Sequence, residues 1–278
     1  MERIFLREEM AEHESTCILE KVKIGVVGMA PGVGTTFVAT SLALRLSEKQ
    51  ECSIGFLELT GKNHAEPLIY DSLGIDKRFA GREFADFYTR IKNKENVKGL
   101  FNIDERINWA LLTPEEAKTD AMDLTTIEKV RLINNISAHI LICDIDCRIA
   151  TRSTKYNSTS AGREEMEDLL AELDIVIFVI DPMPSKMICG YELLAMIKGF
   201  EHRGAKIIWV VNKYNEGINK RELSSVLKLK YNIKLPLISN EAFYTAEYNC
   251  MIPYSTKVVR EKAEDGIEKI VNLHKIYI

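Results

Sequence analysis

Short runs of apolar residues recur along the chain, each followed by a longer stretch whose apolar positions return every three or four residues. The runs are Val22–Gly28, Ser53–Leu59, Ile107–Leu112, Ile140–Asp144, Ile175–Asp181, Lys206–Asn212 and Lys234–Ile238. Nearly continuous apolar character of this kind marks parallel strands covered on both faces. The intervening stretches have helical spacing. Val38, Leu42 and Leu46 define one face after the first run, and Ile127, Val130, Leu132, Ile133 and Ile136 define another over Thr125–Ile136. Further helices are predicted over Glu164–Leu173, Pro184–Phe200 and 219–229. A closing helix over Thr256–Leu273 carries Val259, Ala263, Ile267, Ile270 and Val271 on its core side. Strand and helix in alternation predict an α/β fold, a mostly parallel twisted sheet with helices on both faces.

Less patterned segments lie between these elements. Residues 1–20 are charged and read as a short leader. Residues up to Lys98 are polar, with a helix around Phe84–Lys92, and Arg148–Arg163 reads as a mobile polar loop. No linker or internal repeat divides 21–278, so a single domain is expected there.

Composition narrows the setting. The chain has 278 residues, 46% hydrophobic and 28% charged, with a net charge of −4, which gives no overall pull toward nucleic acid. No apolar run reaches the ~20 residues of a membrane span. That leaves peripheral membrane association open and makes a cytoplasmic location the expectation. The six cysteines are scattered, as in a reduced compartment, and Cys143 sits inside an apolar run as a core residue.

Chemistry concentrates between the first strand and its helix, in Gly28-Met-Ala-Pro-Gly-Val-Gly-Thr-Thr-Phe37. A phosphate-binding P-loop has the pattern G-x-x-x-x-G-K-[ST]. Here Gly32-Val33-Gly34-Thr35-Thr36 supplies a backbone able to curl its N–H groups onto one point, at the start of a helix whose dipole favours anions. Thr36 falls where a hydroxyl binds Mg²⁺, whereas Thr35 stands in the lysine position. A charged hydrogen bond to phosphate contributes on the order of 1.5–3 kcal/mol, so its loss weakens binding roughly tenfold to a hundredfold. The loss would weigh more heavily on a transition state.

Asp144 ends an apolar strand, the place where a P-loop fold puts the carboxylate that holds Mg²⁺ through water. Asp146 could share that role. Asn212-Lys213 follows a late strand, where an amide can read an adenine edge with lysine beside the ring; a plain Asn turn is the alternative. Arg148, Arg152, Lys155 and Arg163 could reach phosphate or remain as a solvated loop.

These pieces together resemble the MinD/ParA-type ATPases of the SIMIBI class of P-loop NTPases. The likeness rests on Gly-Val-Gly-Thr-Thr36, Ile-Leu-Ile-Cys-Asp144, Asp174–Pro182 and Trp209–Lys213, and covers Val22 to Leu273. The resemblance implies ATP or ADP with Mg²⁺, and a homodimer or protein partner. The family's loop carries two lysines, one reaching across a dimer; Ala30 and Thr35 occupy their places here. Glu58-Leu-Thr60 stands where the family has D-x-D. These departures describe a degenerate member similar to the TadZ/CpaE branch of Flp-type pilus assembly, although that branch has an extra N-terminal domain. The expectation is a positioning or assembly protein that binds adenine nucleotide weakly or not at all, with hydrolysis weak or lost. An active Mg²⁺-dependent ATPase, acting in partitioning or localisation, is the alternative, with a lysine from elsewhere in the chain or from a partner supplying the charge.

Overall fold

The computed structural model describes residues 21–49, 52–61, 66–150, 160–229, 231 and 233–277. Strand β1 (Val22–Gly28) leads into α1 (Thr35–Lys49), β2 (Ile54–Leu59), short helical turns between 68 and 92, and the small antiparallel pair β3 (Ile103–Asp104) and β4 (Ile107–Ala110). Next come α2 (Thr126–Asn135), β5 (Ile140–Ile145), α3 (Ser160–Ala171) and β6 (Ile175–Ile180). The chain continues with α4 (Pro184–Cys189), α5 (Tyr191–His202), β7 (Lys206–Tyr214), α6 (Lys220–Leu227), β8 (Ile233–Pro236), α7 (Asn240–Tyr248) and α8 (Lys257–Tyr277).

The eight strands form one sheet in the order β3-β4-β2-β5-β1-β6-β7-β8, parallel except for β3. Every position of β2, β5 and β6 is buried, which requires cover on both faces and accounts for their unbroken apolar sequence. This is the α/β architecture that the hydrophobic pattern predicts. On the predicted core side of α8, Val259, Ala263, Ile267, Ile270 and Val271 are all fully buried.

Several elements depart from the sequence reading. The stretch predicted as one helix over Pro184–Phe200 is two helices, broken at Gly190. A Cβ on Gly190 would stand 2.4 Å from the Met29 carbonyl oxygen, so only glycine allows the backbone this close to the loop after β1. Helix α3 begins at Ser160, so Arg163 lies on a helix and not in a loop; Arg152 and Lys155, like residues 1–20, fall outside the described residues. Helix α7 lies in a stretch where no element is predicted; it buries only Ala246.

One polar contact joins two helices inside the core. Lys129 of α2 donates to Glu165 of α3 at 2.7 Å, and their side chains are 1% and 5% exposed. Removing one partner of a buried pair costs far more than replacing both by apolar groups. Lys129→Ala is therefore expected to lower unfolding free energy by about 3–5 kcal/mol in urea titration. The double variant Lys129→Met, Glu165→Leu should lie within about 2 kcal/mol of the parent or above it.

Candidate functional site

Strand β1 lies between β5 and β6, and the chain leaves β1 toward β2 on one side while β6 continues the sheet on the other. A crevice at the carboxyl ends of the strands forms at such a switch point. Here it is a cleft of about 370 Å³, bordered by Gly32, Gly34, Thr36, Glu58, Asp144 and Arg148 among others.

The loop between β1 and α1 is fastened from outside at three consecutive carbonyls. Lys186 Nζ donates to the Pro31 oxygen at 2.6 Å, Lys213 Nζ to the Gly32 oxygen at 2.6 Å, and Asn212 Nδ2 to the Val33 oxygen at 2.8 Å. In a planar trans peptide the carbonyl and the following N–H point in opposite directions. The three donors thus turn the N–H groups of Gly32, Val33 and Gly34 away from themselves, and Gly32 and Gly34 border the cleft. Gly32 and Gly34 have φ of 76° and 94°, values open to glycine at little cost. A Cβ on Gly34 would also stand 2.3 Å from Asn212 Nδ2. Asn212 and Lys213 can both reach the loop because β7 carries a register shift between Val211 and Tyr214, with Lys213 at φ 55°. In a regular strand, consecutive side chains would point to opposite faces.

On the other wall, Thr36 Oγ1 donates to Asp144 Oδ2 at 2.6 Å. Asp144 and Glu58 are register partners on β5 and β2, so two carboxylates stand side by side in a buried place. Burial pushes Asp144 up to about 7 against the pull of the Thr36 hydroxyl, with Asp146 adding to the rise. Burial pushes Glu58 up to about 8, opposed by the Leu112 N–H at 3.1 Å and reinforced by Asp144, Asp146 and Glu116. Asp146 is engaged elsewhere: it accepts from the Arg148 side chain at 2.7 Å and from the Arg148 N–H at 2.9 Å.

The residues in the two family lysine positions border the cleft but bring no charge to it. Ala30 is 4% exposed and, with Met29, borders a small apolar void lined by Cys189, Leu193 and Met196. The Thr35 hydroxyl lies back against the end of β1, 2.2 Å from where a Gly28 Cβ would project.

The structure thus gathers Gly32, Gly34, Thr35, Thr36, Asp144 and Asp146 at one cleft, with Val33 buried within the loop and Asn212 and Lys213 holding the loop from outside. The sequence reading missed Lys186, which belongs to no spacing motif, and the pairing of Glu58 beside Asp144, which depends on strand register.

No family model and no curated protein matches the chain. Solved structures do. A ParA family ATPase from Chlorobium tepidum is 15% identical, with a TM-score of 0.60, over 90% of this chain and 98% of that one. A plasmid partition protein from Borrelia burgdorferi, bound to AMPPNP, is 13% identical with a TM-score of 0.65, over 92% and 100%. The septum site-determining protein MinD from Pyrococcus horikoshii, with Mg-ADP, is 13% identical with a TM-score of 0.64, over 93% and 99%. The fold is that of the ParA- and MinD-type P-loop ATPases. Among the described residues, no helix is long and apolar enough to cross a membrane.

The cleft fits a magnesium nucleotide in its donor set. Mg²⁺ typically takes one or two protein oxygens and completes its shell with phosphate oxygens and water. Thr36 and Asp144 supply such a pair.

Glu58 carries a consequence for stability. Its folded value near 8 exceeds its ordinary 4.5, so the folded state keeps a proton that the unfolded state has lost. Across that window stability falls as pH rises. Glu58→Gln removes the Glu58 share of the slope while keeping an acceptor for the Leu112 N–H. In EDTA, parent and variant should melt together near pH 4. By pH 8.5 the variant should melt higher, by several degrees if the effect is on the order of 2 kcal/mol. A constant difference at all pH values would show that Glu58 is ionised in the folded protein.

Proposed function

We propose that this chain is a ParA/MinD-like positioning protein whose loop still binds the phosphates of adenine nucleotide with Mg²⁺, weakly, and which hydrolyses ATP slowly or not at all. The carrying observation is the pairing of a fully fastened loop with the loss of both loop lysines. Three outside donors aim the loop N–H groups, and Thr36 remains on Asp144 at 2.6 Å, while Ala30 and Thr35 carry no charge. Mg²⁺ bound there would supply positive charge at the phosphates. Of the chain's own groups, the N–H donors of 32–34 orient a phosphate, Thr36 and Asp144 hold the metal, and Asn212 and Lys213 keep the loop in shape. Among the described residues, Asp144 is held by Thr36 and Asp146 by Arg148, so neither is free to act as a base for an attacking water.

Such a protein acts through what it docks to, a partner complex or a second copy of itself. Met183, Ile188 and Tyr191, beside the loop on and around α4, are 57%, 79% and 67% exposed, and so offer apolar contact area. The resemblance to the atypical loops of the TadZ/CpaE branch supports pilus-type assembly machinery as the setting.

A thermal melt with Mg²⁺-ATP, with Mg²⁺-ADP and without nucleotide tests the reading. Nucleotide at ten times its dissociation constant adds about 1.4 kcal/mol, or roughly 3–5 °C at this chain length. The rise is expected in the parent and is expected to vanish in Thr36→Ala. No rise at millimolar nucleotide would mean that the loop is a scaffold only. Rapid turnover lost on Asp144→Asn would favour the working ATPase instead.

A further inference from the structure

A phosphate cradle built of N–H groups alone offers dipoles but no net charge, so the cations around this loop need to be told apart. Lys213 is committed: its Nζ is 3.0 Å from Asp181 Oδ2, a carboxylate 4% exposed, and the two charges cancel locally. Arg148 is committed to Asp146 at 2.7 Å. Lys186 differs from both. Its Nζ rests on a neutral acceptor, the Pro31 carbonyl at 2.6 Å, and it has no ion pair with a carboxylate among the described residues.

An ammonium has three donors, and one of them holds Pro31, which leaves two. The nitrogen stands 3.6 Å from where a Cβ of Gly32 would project, and nothing else in the described structure meets that position. Because residue 32 is glycine, no side chain stands there between the amine and the cleft that Gly32 borders. A lysine stem has four carbons and rotates freely. Because the Pro31 carbonyl and the Gly32 N–H point opposite ways, the amine reaches a phosphate held by that N–H by leaving Pro31 and swinging past Gly32.

From this geometry we infer that Lys186, carried on α4, supplies to bound phosphate the positive charge that the loop sequence lacks. The inference rests on the phosphate-binding reading above. It assigns to the site a ligand of the nucleoside di- or triphosphate class, bound through its phosphates, and gives the charge contact to a residue outside the loop motif.

The test is a fluorescence titration of the full chain with the N-methylanthraniloyl analogue of ATP and Mg²⁺, at low and physiological salt. Parent, Lys186→Gln, Lys186→Arg and Thr36→Ala are compared, with each variant's melting temperature recorded without ligand. Loss of one charged hydrogen bond predicts about ten- to a hundredfold weaker binding for Lys186→Gln and a shallower salt dependence. Lys186→Arg, which keeps the charge, should stay much closer to the parent. If Lys186→Gln binds like the parent while Thr36→Ala fails, the loop binds phosphate without Lys186, and the inference falls while the phosphate reading stands. Equal loss in the Gln and Arg variants, together with lower melting temperatures, would make Lys186 a loop support and also overturn the inference. If the parent itself does not bind, both the inference and the phosphate reading fall.

Discussion

A trans peptide cannot turn its carbonyl one way without turning the next N–H the other, and the loop after β1 is governed by that constraint. Lys186, Lys213 and Asn212 each take one carbonyl of the Pro31-Gly32-Val33 run, so the N–H direction of the whole segment is fixed from behind. Much of the surrounding structure is arranged to bring those donors there. The register shift in β7 puts Asn212 and Lys213 on the same side, Gly34 leaves room for the Asn212 amide, and Gly190 lets α4 and α5 approach the Met29 backbone. In the usual pattern a lysine of the loop itself would add charge at this place. Here order comes from outside the motif, and the loop positions that would hold lysine pack as small residues.

The opposite wall obeys a different limit. Parallel register sets Glu58 beside Asp144, and two buried carboxylates this close cannot both ionise cheaply without a cation. Burial lifts Glu58 to about 8 and Asp144 to about 7, which favours the protonated form of each. A divalent ion at Thr36 and Asp144 would reverse that balance, because it favours the ionised form and the proton would leave. Metal and proton would therefore compete for the same pair, and any Mg²⁺ bound there would be tied to pH near neutrality more closely than at an exposed carboxylate.

The fold was largely legible in the sequence because its strands are buried on both faces, and continuous apolar runs such as Ile140–Ile145 and Ile175–Ile180 leave little ambiguity. The loop and the Thr36–Asp144 pairing were legible because fixed spacing within a strand-loop-helix unit encodes them. What escaped the sequence is what depends on contacts between distant segments. The close approach of Gly190 to the carbonyl of Met29 is invisible in the local sequence. The closeness of Glu58 to Asp144 follows from strand register, which a linear pattern does not carry. For Asn212 and Lys213 the sequence leaves a base-reading amide and a plain turn open, because a strand end alone does not reveal a bulge that brings both side chains to the loop. Lys186 is an ordinary lysine in a short helix, and only the fold places it on Pro31.

Placing the charge on α4 changes what phosphate binding can communicate. A lysine within the loop reports occupancy to the loop alone. A lysine on α4 links occupancy to a helix of six residues that also carries Ile188, 79% exposed, with Met183 and Tyr191 at its two ends. A ligand can shift a conformational equilibrium only by its difference in affinity for the two states. One charged hydrogen bond made in only one position of α4 supplies about 1.5–3 kcal/mol of that difference, enough for a tenfold to hundredfold change in population. Weak overall affinity does not reduce this leverage, because the shift depends on the difference between states and not on the sum. A loop stripped of its own lysines can thus be a poor catalyst and still serve as a switch, provided that the contact it retains lies on the element presented to the partner.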